Sequence, residues 1–327
     1  MITARSVAAN KEAAAILESA GHEIVVHTGS RTLSEEEMLR VIPGMDAAIV
    51  GLDSVTAKVL AAGAPRLKII ARNGVGYSNV DLKAAAAAGV VVTLTPGVNA
   101  VSVAELAIGL MLALARHIPR QDADVHKGAW SRAMGRELHG KVLGVIGTGH
   151  IGAEVIKRAQ AFGMKTVAVD VQPRPELCQK YGVNYVSREE VFRLADFLSL
   201  HVPSTPETDG LVNSRTLRLM KPAACIINTA RGELINEPDL CAALKSGLIA
   251  GFAADTLIQE PPPASHPLLS LANVVLTPHC GAYTNEAVGR SSTFAAQEVV
   301  RVLRGERPLY PIGKMVTRAG AEACRYR

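Results

Sequence analysis

In the stretch "ACIINTARGELI" an apolar run, Cys225 to Ile227, reads as a buried strand, yet Arg231 follows within four residues. A buried guanidinium must meet an anion or reach water, because an unpaired buried charge is costly. Two partners suit Arg231. One is a neighbouring carboxylate such as Glu233. The other is a small carboxylate ligand, gripped by the two parallel N–H groups that arginine presents. Polar residues close other apolar runs in the same part of the chain: His201 after "FLSL", Thr229 after "CIIN", Asp255 after "GFAA" and His279 after "VVLTP". Glu260 lies five positions past Asp255. Together these residues supply an anion binder, carboxyl groups and imidazoles, the materials of proton transfer beside a bound acid.

A second chemistry is written in "KVLGVIGTGHIGAEVIKRAQAFGMKTVAVD", which carries Gly147, Gly149 and Gly152 in the pattern G-x-G-x-x-G. The glycines follow an apolar strand, open a helix and are succeeded by another strand, which is the setting dinucleotide binding demands. Gly147 permits a tight turn, Gly149 lets the backbone touch a pyrophosphate, and Gly152 lets the helix lie close to the sheet. The anion then sits at a helix N-terminus. Asp170, eighteen residues past Gly152, stands where a carboxylate accepts the ribose hydroxyls of NAD and repels the extra phosphate of NADP. Arg174 is the nearby charge that would favour NADP. The expected cofactor is NAD.

The elements that must position these residues alternate strand and helix. Strands are expected at "HEIVVHT", "DAAIVGL", "LKIIARN" and "VVVTLT" in the first third, with helices such as "NKEAAAILESAG" and "VDLKAAAAAG" between them, each stopped by a glycine. The start, "MITARSVA", is less apolar than its successors and hard to place. A long helix from Asn99 to about Pro119 and a polar connecting stretch, "RQDADVHKGAWSRAMGRELHGK", precede a second series of six strands: "KVLGVIG", "KTVAVD", "FLSLHVP", "ACIINTA", "IAGFAADT" and "NVVLTPH". A helix is expected from Asn285 to about Gly305, followed by a basic, loosely held tail. Short β-branched runs between amphipathic helices predict an α/β protein with doubly wound parallel sheets, whose ligand crevice lies beyond the carboxyl ends of the strands.

The totals narrow the function. The 327 residues suffice for two domains, and 48% apolar against 20% charged residues predicts folded, soluble domains. A net charge of +5 without a basic run suits small anions better than nucleic acid. The five cysteines, Cys178, Cys225, Cys241, Cys280 and Cys324, show no C-x-x-C spacing, so neither a disulfide framework nor a metal site is expected, and a reducing cytoplasm fits. "LAIGLMLALA" is too short to span a bilayer and reads as a buried helix, so no membrane partner is expected.

In "RNGVGYSNVDL", "GTGHIG" with Asp170, "NTARGE", "AADTLIQEPP" and "TPHCGAYT", in this order, the chain resembles the NAD-dependent D-2-hydroxyacid dehydrogenase family over nearly its whole length. The resemblance implies that Arg231, Glu260 and His279 are the catalytic trio. It implies cofactor contacts from Gly147, Gly149, His150, Ile151, Gly152, Asp170, Val202, Thr229, Ala230 and Asp255, with Thr229 and Asp255 near the nicotinamide. It implies that the loop Asn73, Gly74, Val75 and Gly76, with Arg72 just before it, binds the substrate carboxylate. The implied fold is a Rossmann NAD-binding domain, residues 99–284, inserted in a flavodoxin-like substrate domain, residues 1–98 plus 285–327. A cleft closing on the substrate and a homodimer built on the long helix and its arm are implied too. Cys280, although beside His279, has no role in a hydride transfer.

The branch nearest in pattern is that of phosphoglycerate dehydrogenases, and the form the resemblance leads one to expect is the short one without the regulatory C-terminal domain. Ser78 stands where many relatives carry Asp. The loop after the strand "DAAIV" reads "GLDSVT", with Leu52 and Asp53 where that branch often has a cation, and an aspartate is a poor neighbour for a phosphate. Arg72 and Arg132 could each bind a phosphate or equally serve as surface or dimer contacts. The formate branch has glutamine where Glu260 stands. The first expectation is therefore 3-phosphoglycerate, with glyoxylate or hydroxypyruvate reduction as the alternative. An NAD(H)-sensing corepressor is the alternative of another class.

Overall fold

Short runs of Val, Ile and Ala become strands in a computed structural model that describes residues 1–27, 32–317 and 320–324. The strands are β1 (Ala47–Val50), β2 (Ile69–Arg72), β3 (Val91–Thr93), β4 (Val142–Ile146), β5 (Lys165–Val169), β6 (Asn184–Tyr185), β7 (Phe197–Leu200), β8 (Cys225–Asn228), β9 (Gly251–Ala254), β10 (Val274–Leu276), β11 (Pro311–Thr317) and β12 (Gly320–Cys324). The chain divides into two units, Met1–Asn99 with Asn285–Arg327, and Ala100–Thr284.

The first unit holds a sheet in the order β1-β2-β3-β11-β12, in which β1, β2 and β3 run parallel. Its two faces follow the period of two that a strand imposes. Ala48, Val50, Ile70 and Val92 pack with Met38, Val59 and Leu60. Ala47, Ile49, Ile69 and Ala71 pack with Leu17 and with Ala295 and Val299 of the helix Asn285–Leu303. Two expectations need correction. The run "HEIVVHT" forms only a bridge, Val26 to Ile2, and Ile2 in turn bridges Ile49; Thr28 lies outside the described residues. The tail expected to be loosely held instead adds β11, antiparallel on β3, and β12, antiparallel on β11. Residues 318–319 and 325–327 of that tail lie outside the described residues.

The second unit holds seven parallel strands in the order β10-β9-β8-β7-β4-β5-β6. Leu198, Leu200, Ile226 and Phe252 pack on one face with Phe192, Leu240 and Leu244. Leu143, Val145, Phe197 and Ile227 pack on the other with Met111, Leu114, Val155 and Ile156. Burial of both faces is why these strands read as continuous apolar runs. The helix Ala100–Arg116 carries "LAIGLMLALA" into this core. The polar stretch after it is not all connection: Ile118–His126 is a second helix, entered through His117 at φ 53. Among the described residues no single helix is long and apolar enough to cross a membrane.

Candidate functional site

The order of the second sheet reverses at β4, whose neighbours are β5 and β7. Because all seven strands are parallel, the residues that follow them emerge along one edge, where such sheets bind ligands. Gly147 leaves β4 there, His201 and Val202 leave β7, Thr229 to Arg231 leave β8, Asp255 leaves β9, and Thr277 to His279 leave β10.

The glycine loop has the backbone its residues anticipate. Gly147 sits at φ 93, and a β-carbon there would lie 2.5 Å from the His201 carbonyl oxygen. At Gly152 a β-carbon would lie 2.0 Å from the Gly147 carbonyl oxygen, so helix and turn touch only because residue 152 is glycine. Gly149 differs, since a β-carbon there would meet nothing within 4 Å. It caps the helix His150–Ala161 without any side-chain hydrogen bond, so no capping side chain takes the first-turn N–H groups. That cradle fits a pyrophosphate.

Asp170 follows β5 within a small network. Its Oδ2 accepts from the Thr148 amide at 2.5 Å and from Thr148 Oγ1 at 3.0 Å, and its Oδ1 accepts from the Gln172 amide at 2.9 Å. Tyr185 Oη donates to Thr148 Oγ1 at 2.9 Å, which orients the hydroxyl toward Asp170. Arg174 is drawn to Glu176, at 2.7 Å, and to the Thr148 carbonyl oxygen, at 3.2 Å. Neither Thr148 nor Tyr185 stands out in sequence, because each matters only through a partner distant in the chain.

Arg231 is held from behind. Asn228, buried at the end of β8, donates from Nδ2 to the Arg231 carbonyl oxygen at 2.7 Å and accepts the Ala230 amide at 3.1 Å. The guanidinium donates to the Ala230 carbonyl oxygen at 2.6 Å. Among the described residues no ion pair forms between Arg231 and Glu233 or any other carboxylate. The local salt bridge that Glu233 offered is therefore absent from this arrangement.

Glu260 and His279 meet directly. His279 Nδ1 lies 2.6 Å from Glu260 Oε2, while Glu260 Oε1 accepts the Leu257 amide at 2.9 Å. Both side chains are accessible, at 53% for His279 and 37% for Glu260, so the pair is open to a ligand. Asp255 is buried and organises the turn that carries His279. Its carboxylate accepts Thr277 Oγ1 at 2.6 Å, the Cys280 amide at 2.9 Å and the Gly281 amide at 2.8 Å. Burial, reinforced by the Asp255 carboxylate, pushes the Cys280 thiol upward, which disfavours a thiolate.

Three buried polar atoms along this edge lack a hydrogen-bond partner among the described residues: His201 Nδ1, Thr229 Oγ1 and Thr256 Oγ1. They follow the adjacent strands β7, β8 and β9. Orphaned buried groups are rare, so their clustering beside the glycine loop suits a polar cofactor. Thr256 escapes notice in sequence because a threonine at a strand end carries no signature. His201 donates or accepts through Nε2 to Ser199 Oγ at 2.8 Å, and burial lowers its pKa to about 3.

In the first unit the loop Asn73–Gly76 follows β2. Asn73 Nδ2 donates to Ser6 Oγ at 2.9 Å, and its Oδ1 accepts from Ser291 Oγ. Ser291 in turn contacts Thr95 Oγ1 at 2.9 Å. Arg72 is buried beneath the loop and donates to the Asn73 carbonyl oxygen. Gly74 sits at φ 145, where a β-carbon would lie 2.1 Å from Arg72 Nη1. Asp53 departs from what its charge suggested. Its carboxylate is buried and accepts Thr3 Oγ1 at 2.7 Å, the Leu33 amide at 2.8 Å and the Gly51 amide at 2.9 Å, so it is a structural anchor. Leu52 is the exposed residue of that loop, and Arg132 is exposed as well.

Residues 108–281 match the family described as D-isomer specific 2-hydroxyacid dehydrogenase, NAD binding domain. The chain is similar to the D-3-phosphoglycerate dehydrogenase of Methanocaldococcus jannaschii, 43% identical over 300 residues, covering 91% of this chain and 56% of that protein. It spans about half the length of that relative. It is also similar to the hydroxypyruvate reductase of Thermotoga maritima, 43% identical over 280 residues, covering 84% of this chain and 90% of that protein. The crystal structure of the TT0316 protein from Thermus thermophilus superposes with a TM-score of 0.87 at 36% identity, covering 95% of this chain and 98% of that one.

Proposed function

The chain belongs to the D-isomer specific 2-hydroxyacid dehydrogenase family, and on that premise we propose that it transfers hydride between NAD and a small D-2-hydroxy acid or its 2-keto counterpart. The observation that carries the reading is the 2.6 Å contact of His279 with Glu260, on the sheet edge that also carries the glycine loop. Gly149 and the first-turn amides of His150 and Ile151 would hold the pyrophosphate of NAD, Asp170 its ribose, and Thr229 and Asp255 would lie near its nicotinamide, with Val202 and Ala230 as further cofactor contacts. NAD, when bound, supplies the hydride acceptor or donor.

The protein's part is binding and proton movement. His279 engages Glu260 through Nδ1, which leaves Nε2 to take the proton of a substrate hydroxyl or return it to a carbonyl oxygen. The carboxylate of Glu260 fixes the ring and its tautomer and stabilises positive charge upon it. Arg231, which no carboxylate among the described residues neutralises, grips the carboxylate of the substrate and holds the reacting carbon in place. For the other unit we infer that the backbone amides of Asn73, Gly74, Val75 and Gly76 bind an anionic group of the substrate. Arg72 supports that loop from beneath.

For the substrate, 3-phosphoglycerate and its keto form come first, by likeness to a relative of that name. A second reading, hydroxypyruvate or glyoxylate, is favoured by the exposed Leu52 and the inward Arg72, which offer no cation to a phosphate at the loop. NADH absorbance with glyoxylate, hydroxypyruvate, phosphohydroxypyruvate and pyruvate separates them. Turnover on none of these, with NADH still bound, would overturn the enzyme reading in favour of an NAD(H)-sensing module.

A second copy of the chain is the proposed partner. Trp130 is 83% and Met134 94% exposed, in the arm that follows the helix Ile118–His126, itself without a buried residue. Apolar side chains this open suit a homodimer contact. Light scattering should give twice the chain mass, and Trp130→Asp should shift it toward the monomer; a monomeric parent protein would refute the pairing.

A further inference from the structure

We propose that Glu237 and His266, which nothing above assigns, are positioning residues that hold Glu260 in place against Arg231. The inference rests on the reading of Glu260 and Arg231 as catalytic. Glu260 lies in the loop between β9 and the turn Pro267–Ser270. Two successive amides at the start of that loop donate to two different glutamates. Leu257 N reaches Glu260 Oε1 at 2.9 Å, and Ile258 N reaches Glu237 Oε1 at 3.2 Å. At the loop's far end, His266 Nε2 lies 3.0 Å from Glu237 Oε2. One carboxylate therefore ties both ends of the loop, one oxygen to each, with Glu260 between them.

The residue doing this is itself well fixed. Glu237 opens the helix Glu237–Lys245, whose cap is Asn236, and Pro238 follows it. His266 accepts the Leu268 amide through Nδ1 at 3.4 Å, so Nε2 carries the proton given to Glu237. Among the described residues there are thus two Glu–His pairs, and they differ in exposure. Glu260 and His279 are 37% and 53% accessible, whereas Glu237 and His266 are 15% and 10% accessible. The open pair can meet a ligand, while the covered pair can only hold the chain.

Gly232 links the brace to Arg231. A β-carbon on Gly232 would lie 2.2 Å from Leu257 C and 2.3 Å from Ile258 N, so the residue after Arg231 lies flush against the Leu257–Ile258 peptide, whose N–H Glu237 binds. Arg231 and Glu260 are thereby set in register through backbone contact, and Glu237 clamps that contact shut. Displacement of a catalytic group by about 1 Å costs on the order of a hundredfold in rate.

Glu237→Ala in the full-length protein should lower kcat roughly ten- to a hundredfold. The NADH dissociation constant should stay within about twofold, and the deuterium isotope effect with 4-deuterated NADH should rise, as expected when the chemical step slows. His266→Ala should behave alike, and His266→Gln, whose amide can still donate to Glu237, should recover most of the loss. Hydrogen exchange across residues 256–266 should quicken in Glu237→Ala. Unaltered kcat, or exchange in that segment equal to the parent's, would overturn the proposal, as would a His266→Gln protein no better than His266→Ala. If the parent protein turns over no 2-keto acid, the enzyme reading fails, and the exchange measurement still decides the brace.

Discussion

His279 Nδ1 and Glu260 Oε2 lie 2.6 Å apart although His279 occupies the left-handed region at φ 52. A residue with a β-carbon held there costs about 1–3 kcal/mol. The surrounding turn compensates. The His279 amide donates to the carbonyl oxygens of Asp255, at 2.9 Å, and Thr277, at 3.1 Å, and the Asp255 carboxylate collects the remaining donors of the turn. Strain, imidazole and carboxylate coincide at one point on the sheet edge, which is where a functional group is expected.

His279→Ala should lower turnover by about 10²–10⁴-fold, the usual worth of positioned proton transfer. NADH binding, followed by fluorescence, should survive, because the glycine loop and Asp170 are untouched. Loss of NADH binding together with turnover would mark His279 as structural.

Arg231→Lys should reduce kcat/KM by roughly a hundredfold or more, since a point charge cannot reproduce the two-pronged grip on a carboxylate. Asn228 holds the backbone here, so the fold should be unaffected. Steady-state kinetics on the best 2-keto acid tests this, and near-parental values would refute the carboxylate assignment.

The sequence was most readable where the backbone itself demands a residue type. Gly147 and Gly152 are legible because their neighbours leave no room for a β-carbon, and the alternation of β-branched runs with helices is legible because both sheet faces are buried. Charge was less readable. Asp53 reads in the chain as an anion unfavourable to a substrate phosphate, but three donors draw it inside. Glu237, His266 and Thr148 carry no signal at all in sequence, since their partners are tertiary. The segment from Pro311 reads as a loose tail because its basic, glycine-containing composition hides β11, which pairs with β3, and β12, which pairs with β11.

Asp170→Ala should weaken NADH binding and narrow the preference for NADH over NADPH. Thr148→Val should do the same more weakly, because it removes the hydroxyl that donates to Asp170 Oδ2 at 3.0 Å and leaves the amide bond intact. Parallel fluorescence titrations with the two cofactors check both. An unaltered ratio in Asp170→Ala would count against its ribose role.

Ser291→Ala should raise KM for the 2-keto acid several-fold, on the order of the 1 kcal/mol or so carried by one buried hydrogen bond. Asn73 Oδ1 would lose its donor, and the Asn73–Gly76 loop would loosen, while the cofactor site in the other unit keeps every contact. KM and the NADH dissociation constant measured on the same protein separate these. Equal changes in both would point to general destabilisation.

His201 should make stability depend on pH. Its ring is buried and its pKa falls from 6.5 to about 3 in the folded state. Above about 6.5 both folded and unfolded chains hold a neutral ring, and His201 has no effect on the slope. Below that value the unfolded chain binds a proton that the folded chain refuses, so stability falls as pH drops toward about 3, by at most about 1.4 kcal/mol per pH unit. His201→Gln removes this contribution. Urea titrations of both proteins at about pH 7.5, 6 and 5 should therefore show the variant losing stability less steeply on acidification, and parallel lines would mean that the ring takes up its proton while still folded.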